Sequence, residues 1–312
     1  MSFAAMLCLV LVAVYGLTSL LLSILVAAAW RAGLERMHST SSDFLALRLL
    51  PAVGGALLTL TVVLPAFLSY EPARDLEAVG PFLVALVMLA LVTAATGVLR
   101  GWRAGVAGRI LLRSCGPPGR WSTADGRKVD LFDIPEPIVA VVGGWRPRII
   151  AAKHVLGACS PEEFHEIIAH EAAHVSARDN LKLLLFVVSP DILAWLPCGA
   201  TLAARWRAAA EFEADEQAAG SDPRRRVALA SALIKVARLA TGTRSALPAL
   251  SMSVALDDVD GRVRQLLSPS RKLARTTAVK TLVACSLLVP VLAVPLYGLV
   301  HLFIEGLVAL GR

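Results

Sequence analysis

Charge is what this sequence has least of. Asp, Glu, Lys and Arg make up 18% of its 312 residues, against 56% hydrophobic ones. Soluble domains carry roughly a quarter charged residues. The shortage excludes an ordinary soluble enzyme and predicts several membrane spans. Cysteine is sparse as well: Cys8, Cys115, Cys159, Cys198 and Cys285 are scattered and form no CxxC pair. That removes a cysteine zinc knot or a redox dithiol, and the five read as small buried hydrophobes. No glycine loop for phosphate, no Ser/His/Asp set, no internal repeat and no low-complexity linker is present. The apolar runs hold almost no charge, which argues against a transporter or channel pathway. The net charge of +7 would suit nucleic acid in a soluble protein. Here the basic residues flank apolar runs and orient the chain in a bilayer instead, so no direct nucleic-acid partner is expected.

Four runs are long enough to cross hydrocarbon roughly 30 Å thick: 3–30, 49–70, 81–99 and 281–304. The first lacks a basic leader and exceeds a signal-peptide core, so it reads as a span. Pro290 and Pro295 in the last are tolerated as kinks. Arg100, Arg103, Arg109 and Arg113 follow the third run, and Arg271, Lys272, Arg275 and Lys280 precede the fourth. Positive charge inside then puts the middle segment in the cytoplasm and both termini outside. The expected architecture is mostly α and integral to the membrane. Residues 1–110 hold three transmembrane helices, 111–276 a cytoplasmic α+β domain, and 277–312 a fourth transmembrane helix.

Within that domain, 138–142 and 146–152 predict two strands about Gly143-Gly144. "GPPGRW" (116–121) reads as a loop. A helix should begin at Ser160, with Pro161 in its first position and Glu163 closing a capping box. The stretch 183–206 is interrupted by Pro190, Asp191 and Pro197. It predicts two short helices, packed in the domain core or dipping into the cytoplasmic leaflet, with a spanning hairpin as the alternative. The arginines of 222–230 are expected to snorkel at the membrane surface or to cap a helix.

The chemistry lies in "AHEAAHVSARDN" (169–180). His170 and His174 are four apart, so one helix face offers both imidazoles to one ion, with Glu171 beside them. By chance this pattern arises in roughly one chain in a hundred of this length. A second helix over 207–219 carries Glu211 and Asp215, again four apart, while Glu213 points elsewhere. Glu211 can complete a three-ligand zinc site, and Asp215 can hold a ligating histidine's other nitrogen. The bland alternative is a solvated acidic face paired with Arg205 and Arg207. His38, His154, His165 and His301 have no partner at ligand spacing, although His301 and Glu305 are placed to pair near the last span's end.

"HEAAHVSARDN" followed by "EFEAD" resembles the integral-membrane gluzincin metallopeptidases, above all the BlaR/MecR-type antibiotic-sensing family. The Arg178-Asp179 pair after the helix and the strand pair around Pro137, Gly143, Pro147 and Ile149-Ile150 carry that resemblance too. It implies a gluzincin-type zinc peptidase domain in which His170, His174 and Glu211 hold Zn2+, Glu171 is the general base and Asp215 supports a ligand. The implied substrate is a cytoplasmic protein, a transcriptional repressor in the BlaR/MecR systems. Those receptors continue into a penicillin-binding sensor, whereas this sequence stops at Arg312, so a peptidase without that sensor is expected. "EFEAD" is also similar to HtpX and the CAAX prenyl proteases, which makes membrane-protein quality control the rival role. A non-catalytic scaffold or sensor with structural zinc is the other alternative. It would need a fourth protein ligand, and no further His or Cys lies nearby. The 146–152 strand is expected to offer an exposed edge to an extended substrate. No oxyanion stabiliser can be named from the sequence; Arg178, Arg205 and Arg207 are merely near in sequence. The oligomeric state is not legible.

Overall fold

The computed structural model describes residues 2–34, 39–70, 80–122, 126–240, 252–253 and 258–268, with a few positions between 284 and 306. The chain divides into two compact units. One comprises Met1–Leu99, Phe186–Trp206 and Ala274–Arg312; the other comprises Arg100–Leu185 and Arg207–Leu273.

The first unit is helical. Helix α1 spans Phe3–Arg31. Helix α2 (Ser41–Leu58) starts at a capping box between Thr40 and Asp43. It passes through a π-helical stretch, Thr59–Val63, into α3 (Leu64–Tyr70). Helix α4 covers Pro81–Ser114. Three helical stretches, Phe3–Arg31, Ser41–Ser69 and Pro81–Ser114, are long and apolar enough to cross a membrane. The fourth expected span, 281–304, and the His301–Glu305 pair fall almost wholly outside the described residues.

Helix α2 reaches further back than the apolar run at 49 suggested, because Arg48 is not a loop charge. It is buried, pairs with Asp191 and donates through Nη2 to the Phe186 carbonyl at 3.1 Å. Asp191 also accepts from the Ser189 hydroxyl at 2.6 Å and the Leu193 amide at 3.0 Å. The interruption that sequence logic treated as a lone acid is therefore a satisfied polar cluster. The two short helices expected over 183–206 are also corrected. Helix α7 (Asp179–Val188) ends before Ser189, a 3₁₀ turn follows at Ile192–Trp195, and α8 runs unbroken over Pro197–Ala219. Gly199 allows this turn, since a Cβ there would lie 1.9 Å from the Leu193 carbonyl oxygen.

The second unit is built on a sheet of order β1-β2-β4-β3-β5. Its strands are Gly119–Ser122, Lys128–Phe132, Val139–Val142, Arg148–Ala152 and the short Met252–Ser253. The β2–β4 pair is parallel and the others antiparallel. Two expectations fail here. Part of the 116–121 "loop" is β1, which Trp121 anchors by packing edge-on against Phe164, ring centroids 5.0 Å apart. And β4 is no edge: β2 and β3 take its two ladders, and Ile149, Ile150, Ala151 and Ala152 are buried. A near-continuous apolar strand belongs in a sheet interior, so an incoming peptide has no free ladder on it.

Helix α5 (Lys153–Ala158) links the sheet to α6 (Pro161–Ala177). The capping box forms as expected: the Ser160 amide donates to Glu163 at 2.7 Å, and the Glu163 amide to the Ser160 hydroxyl at 3.2 Å. Phe164, Ile167 and Ile168 of α6 and Leu229, Leu233 and Val236 of α9 (Pro223–Ala240) share one core with Val129, Val139, Val141 and Ile149 of the sheet. Burying a side chain of that size contributes about 1.5–3 kcal/mol. Helix α10 (Val259–Leu266) joins this core through Leu266. Arg226, itself buried, caps it by donating to the carbonyls of Leu266 at 2.7 Å, Gln265 at 2.9 Å and Ser268 at 3.1 Å. The capping role expected of the 222–230 arginines is thus visible in Arg226, while Arg225 pairs with Glu166.

Candidate metal centre

Three elements supply the centre: α6, the second half of α8 and α10. On α6, His170 and His174 share a face and both are 1% exposed. Their Nε2 atoms lie 3.1 Å apart. From α8, Glu211 brings Oε2 to 3.4 Å from His170 Nε2 and Oε1 to 3.6 Å from His174 Nε2. Two bonds of about 2.0–2.1 Å at a tetrahedral angle separate their donor atoms by about 3.3 Å. The histidine pair has that spacing, and each imidazole has one of the two Glu211 oxygens at a similar distance. These three residues are the group among the described residues able to hold a metal ion, their ligand atoms all within 4.8 Å of one another.

The outward ring nitrogens are committed elsewhere. His174 Nδ1 faces Asp179 Oδ2 at 2.8 Å, and His170 Nδ1 faces Asp215 Oδ1 at 2.9 Å. An ionised carboxylate only accepts, so each Nδ1 carries a proton and each Nε2 faces inward, free to ligate once it is deprotonated. Asp179 reaches His174 because α6 ends in a left-handed residue, Arg178 at φ 55°, which turns the chain sharply before α7. Lys182 Nζ then contacts Asp179 Oδ1 at 2.8 Å. Asp215 is gripped by Arg262 of α10, whose Nε and Nη2 donate to its two oxygens at 2.9 and 2.6 Å. Arg262 Nη1 lies 2.9 Å from Glu211 Oε2, near enough for an ion pair but misaligned for a hydrogen bond.

Electrostatics follow from this crowding. Burial and Arg262 push the His170 imidazolium down, but Asp215 and Glu211 outweigh them and leave its pKa raised to about 9. Burial lifts Glu171 to about 8, with Glu211 adding to the rise and His170 and Arg262 opposing it. Arg262 and His170 overcome burial at Asp215 and hold it down at about 2. Glu171 is fully buried, and among the described residues its oxygens have no side-chain hydrogen-bond partner, only the Val141 backbone close by. Poorly satisfied buried carboxylate oxygens are costly. Three buried carboxylates, Glu171, Glu211 and Asp215, converge with one permanent cation, Arg262. Two imidazoles and the Glu211 carboxylate converge with Glu171 beside them, so the residues present fit a divalent ion that displaces the acidic protons of His170 and Glu171.

Sequence reasoning therefore placed five residues that the fold brings together: His170, Glu171, His174, Glu211 and Asp215. It quoted Asp179 only as part of a motif and missed Lys182 and Arg262. A salt link at i,i+3 could have exposed Lys182. Arg262 lies 47 positions beyond Asp215 and 92 beyond His170, and no spacing rule reaches that far. The arginines that were near in sequence, Arg178, Arg205 and Arg207, are all exposed. Glu213 is half-buried.

Comparison with known proteins agrees with this geometry. No curated protein and no solved structure matches the chain. One family model does, that of the BlaR1 peptidase M56, over residues 131–266. The matched stretch runs from β2 to the end of α10 and contains every residue of the centre, Arg262 included. By that match residues 131–266 are similar to the BlaR1 peptidase M56 family, which together with the three span-length apolar helices supports a membrane-associated metallopeptidase.

Proposed function

We propose that the chain is a membrane-embedded, zinc-dependent endopeptidase, with His170, His174 and Glu211 as zinc ligands and Glu171 as general base. The observation that carries this is the convergence of His170, His174 and the two Glu211 oxygens at 3.1, 3.4 and 3.6 Å, with a buried Glu171 beside them. Zinc suits two imidazoles and one carboxylate, and three protein ligands leave a position open. When bound it supplies Lewis acidity. Glu171 takes the proton of the attacking water on a carboxylate oxygen and passes it to the leaving amine nitrogen. A carboxylic acid raised to about 8 is matched to giving that proton up near neutral pH. Asp215 and Asp179 keep both imidazoles in one tautomer and orientation.

The substrate follows from the family and from the charge pattern. Basic flanks support a peptidase domain over 111–276 on the cytoplasmic side, between three amino-terminal spans and a fourth at 277–312. Its substrate is then a cytoplasmic protein, and kinship with BlaR-type peptidases supports a transcriptional repressor within a signalling system. The test is Glu171→Gln in the full-length protein. Zinc content and fold should be retained while cleavage falls by about 10²–10⁴-fold, and Glu213→Gln should leave both near wild type. A Glu171→Gln protein that binds zinc and cleaves normally would replace the enzyme with a zinc-containing scaffold. Cleavage of misfolded membrane proteins but of no cytoplasmic regulator would move the role to quality control.

A further inference from the structure

We propose that Arg262 is a positioning residue of the metal centre, acting through Asp215: its forked guanidinium fixes the carboxylate that fixes His170. The chain of contacts is continuous. Nε and Nη2 hold both oxygens of Asp215, and Oδ1 of that carboxylate faces His170 Nδ1 at 2.9 Å. Asp215 is fully buried and Arg262 is 6% exposed. A single buried hydrogen bond would leave the carboxylate free to rotate about its last bond; two parallel donors fix its plane. Lysine has the charge but no fork, so it cannot replace that geometry.

The delivery of Arg262 is itself organised. Helix α10 is held independently of the centre, by Leu266 in the core and by Arg226 on its terminal carbonyls. Arg262 then projects from an element that stays docked when its own side chain is changed. The third contact, an ion pair from Nη1 to Glu211 Oε2 at 2.9 Å, falls on the oxygen that also faces His170 Nε2 at 3.4 Å. One arginine thus touches the support of one ligand, the edge of that ligand's ring through Nη2 at 3.4 Å, and the body of another.

This inference rests on the zinc reading, and its test reads zinc affinity in the full-length protein by competition with a chromophoric chelator, without any cleavage. Arg262→Ala should weaken zinc about 10–100-fold, the usual effect of removing a group that orients a ligand. Arg262→Lys should fall between that variant and wild type. Asp215→Asn alone should weaken zinc similarly, and adding Arg262→Ala to it should cost less than about twofold more, because coupled residues are not additive. Wild-type affinity in Arg262→Ala, or losses that multiply in the double variant, would overturn the proposal. If Arg262→Ala does not fold, Arg262→Lys decides, since affinity equal to wild type there removes any need for the fork. Peptidase failure shows separately: normal cleavage by Glu171→Gln leaves this proposal standing, whereas zinc binding indifferent to His170→Ala removes the site and this role with it.

Discussion

The two histidines of the centre are supported in the same way by very different means. His174 is held by Asp179, and Asp179 by Lys182, all within one helix end and its turn. His170 is held by Asp215, and Asp215 by Arg262, from three separate helices. The local support ends on a lysine whose side chain is 23% exposed, whereas the long-range one ends on an arginine at 7%. Water can replace the lysine and cannot reach the arginine. The same histidine–aspartate–cation order is thus a surface-buffered device on one side and an interior one on the other, and the interior one carries the greater consequence.

The comparison breaks most visibly in stability. Asp215→Asn leaves the buried Arg262 guanidinium with Glu211 as its remaining carboxylate, and loss of one partner of a buried pair typically costs about 3–5 kcal/mol. Asp179→Asn leaves a lysine that turns to water, so about 1 kcal/mol or less is expected. Equal losses in chemical unfolding of the metal-free proteins would erase the distinction. Proton release comes next. The His170 imidazolium, raised to about 9, holds a proton at pH 7 that a metal must displace. Zinc affinity should therefore rise with pH up to about 9, roughly tenfold per unit for each displaced proton. A pH-indicator titration at pH 7 should find about one proton or more released per zinc, and an affinity flat from pH 6 to 9 would contradict the charge assignment. Lys182→Met should weaken zinc by less than about threefold, since the lysine end of this part-buried pair is open to water and such pairs contribute about 1 kcal/mol or less. Smallest is Arg178→Gly, which suits the left-handed turn and should leave zinc binding unchanged while shifting stability by no more than about 1 kcal/mol. A large loss of zinc there would mean the Arg178 side chain, and not its backbone, serves the site.

What was legible in the sequence was what is local. Ser160, Pro161 and Glu163 announced α6 because a capping box is closed within four residues, and His170, His174, Glu211 and Asp215 announced themselves by helical spacing. The partners of Arg48 and Arg262 were not legible, because each lies across long chain separations: 143 positions to Asp191, and 47 to Asp215. Strand β1 hid behind its glycines and prolines, and its order comes from pairing with β2 and from Trp121 on Phe164. The β4 edge was misjudged for a related reason. Alternation and apolar runs identify a strand, but only its neighbours decide whether it is central, and β2 was not recognised.

The division of the chain has a consequence for synthesis and for dissection. The peptidase unit is written in two instalments, Arg100–Leu185 and Arg207–Leu273, with Phe186–Trp206 assigned to the apolar unit between them. Asp179 precedes that excursion and Glu211 follows it. A ribosome therefore completes half of the centre, lays down an apolar passage, and only then emits the third ligand and, last, Arg262. No single cut in the gene excises the hydrolytic half cleanly: any continuous fragment from Arg100 to Leu273 brings the apolar passage with it. Such a fragment released without a bilayer or detergent should aggregate through that passage.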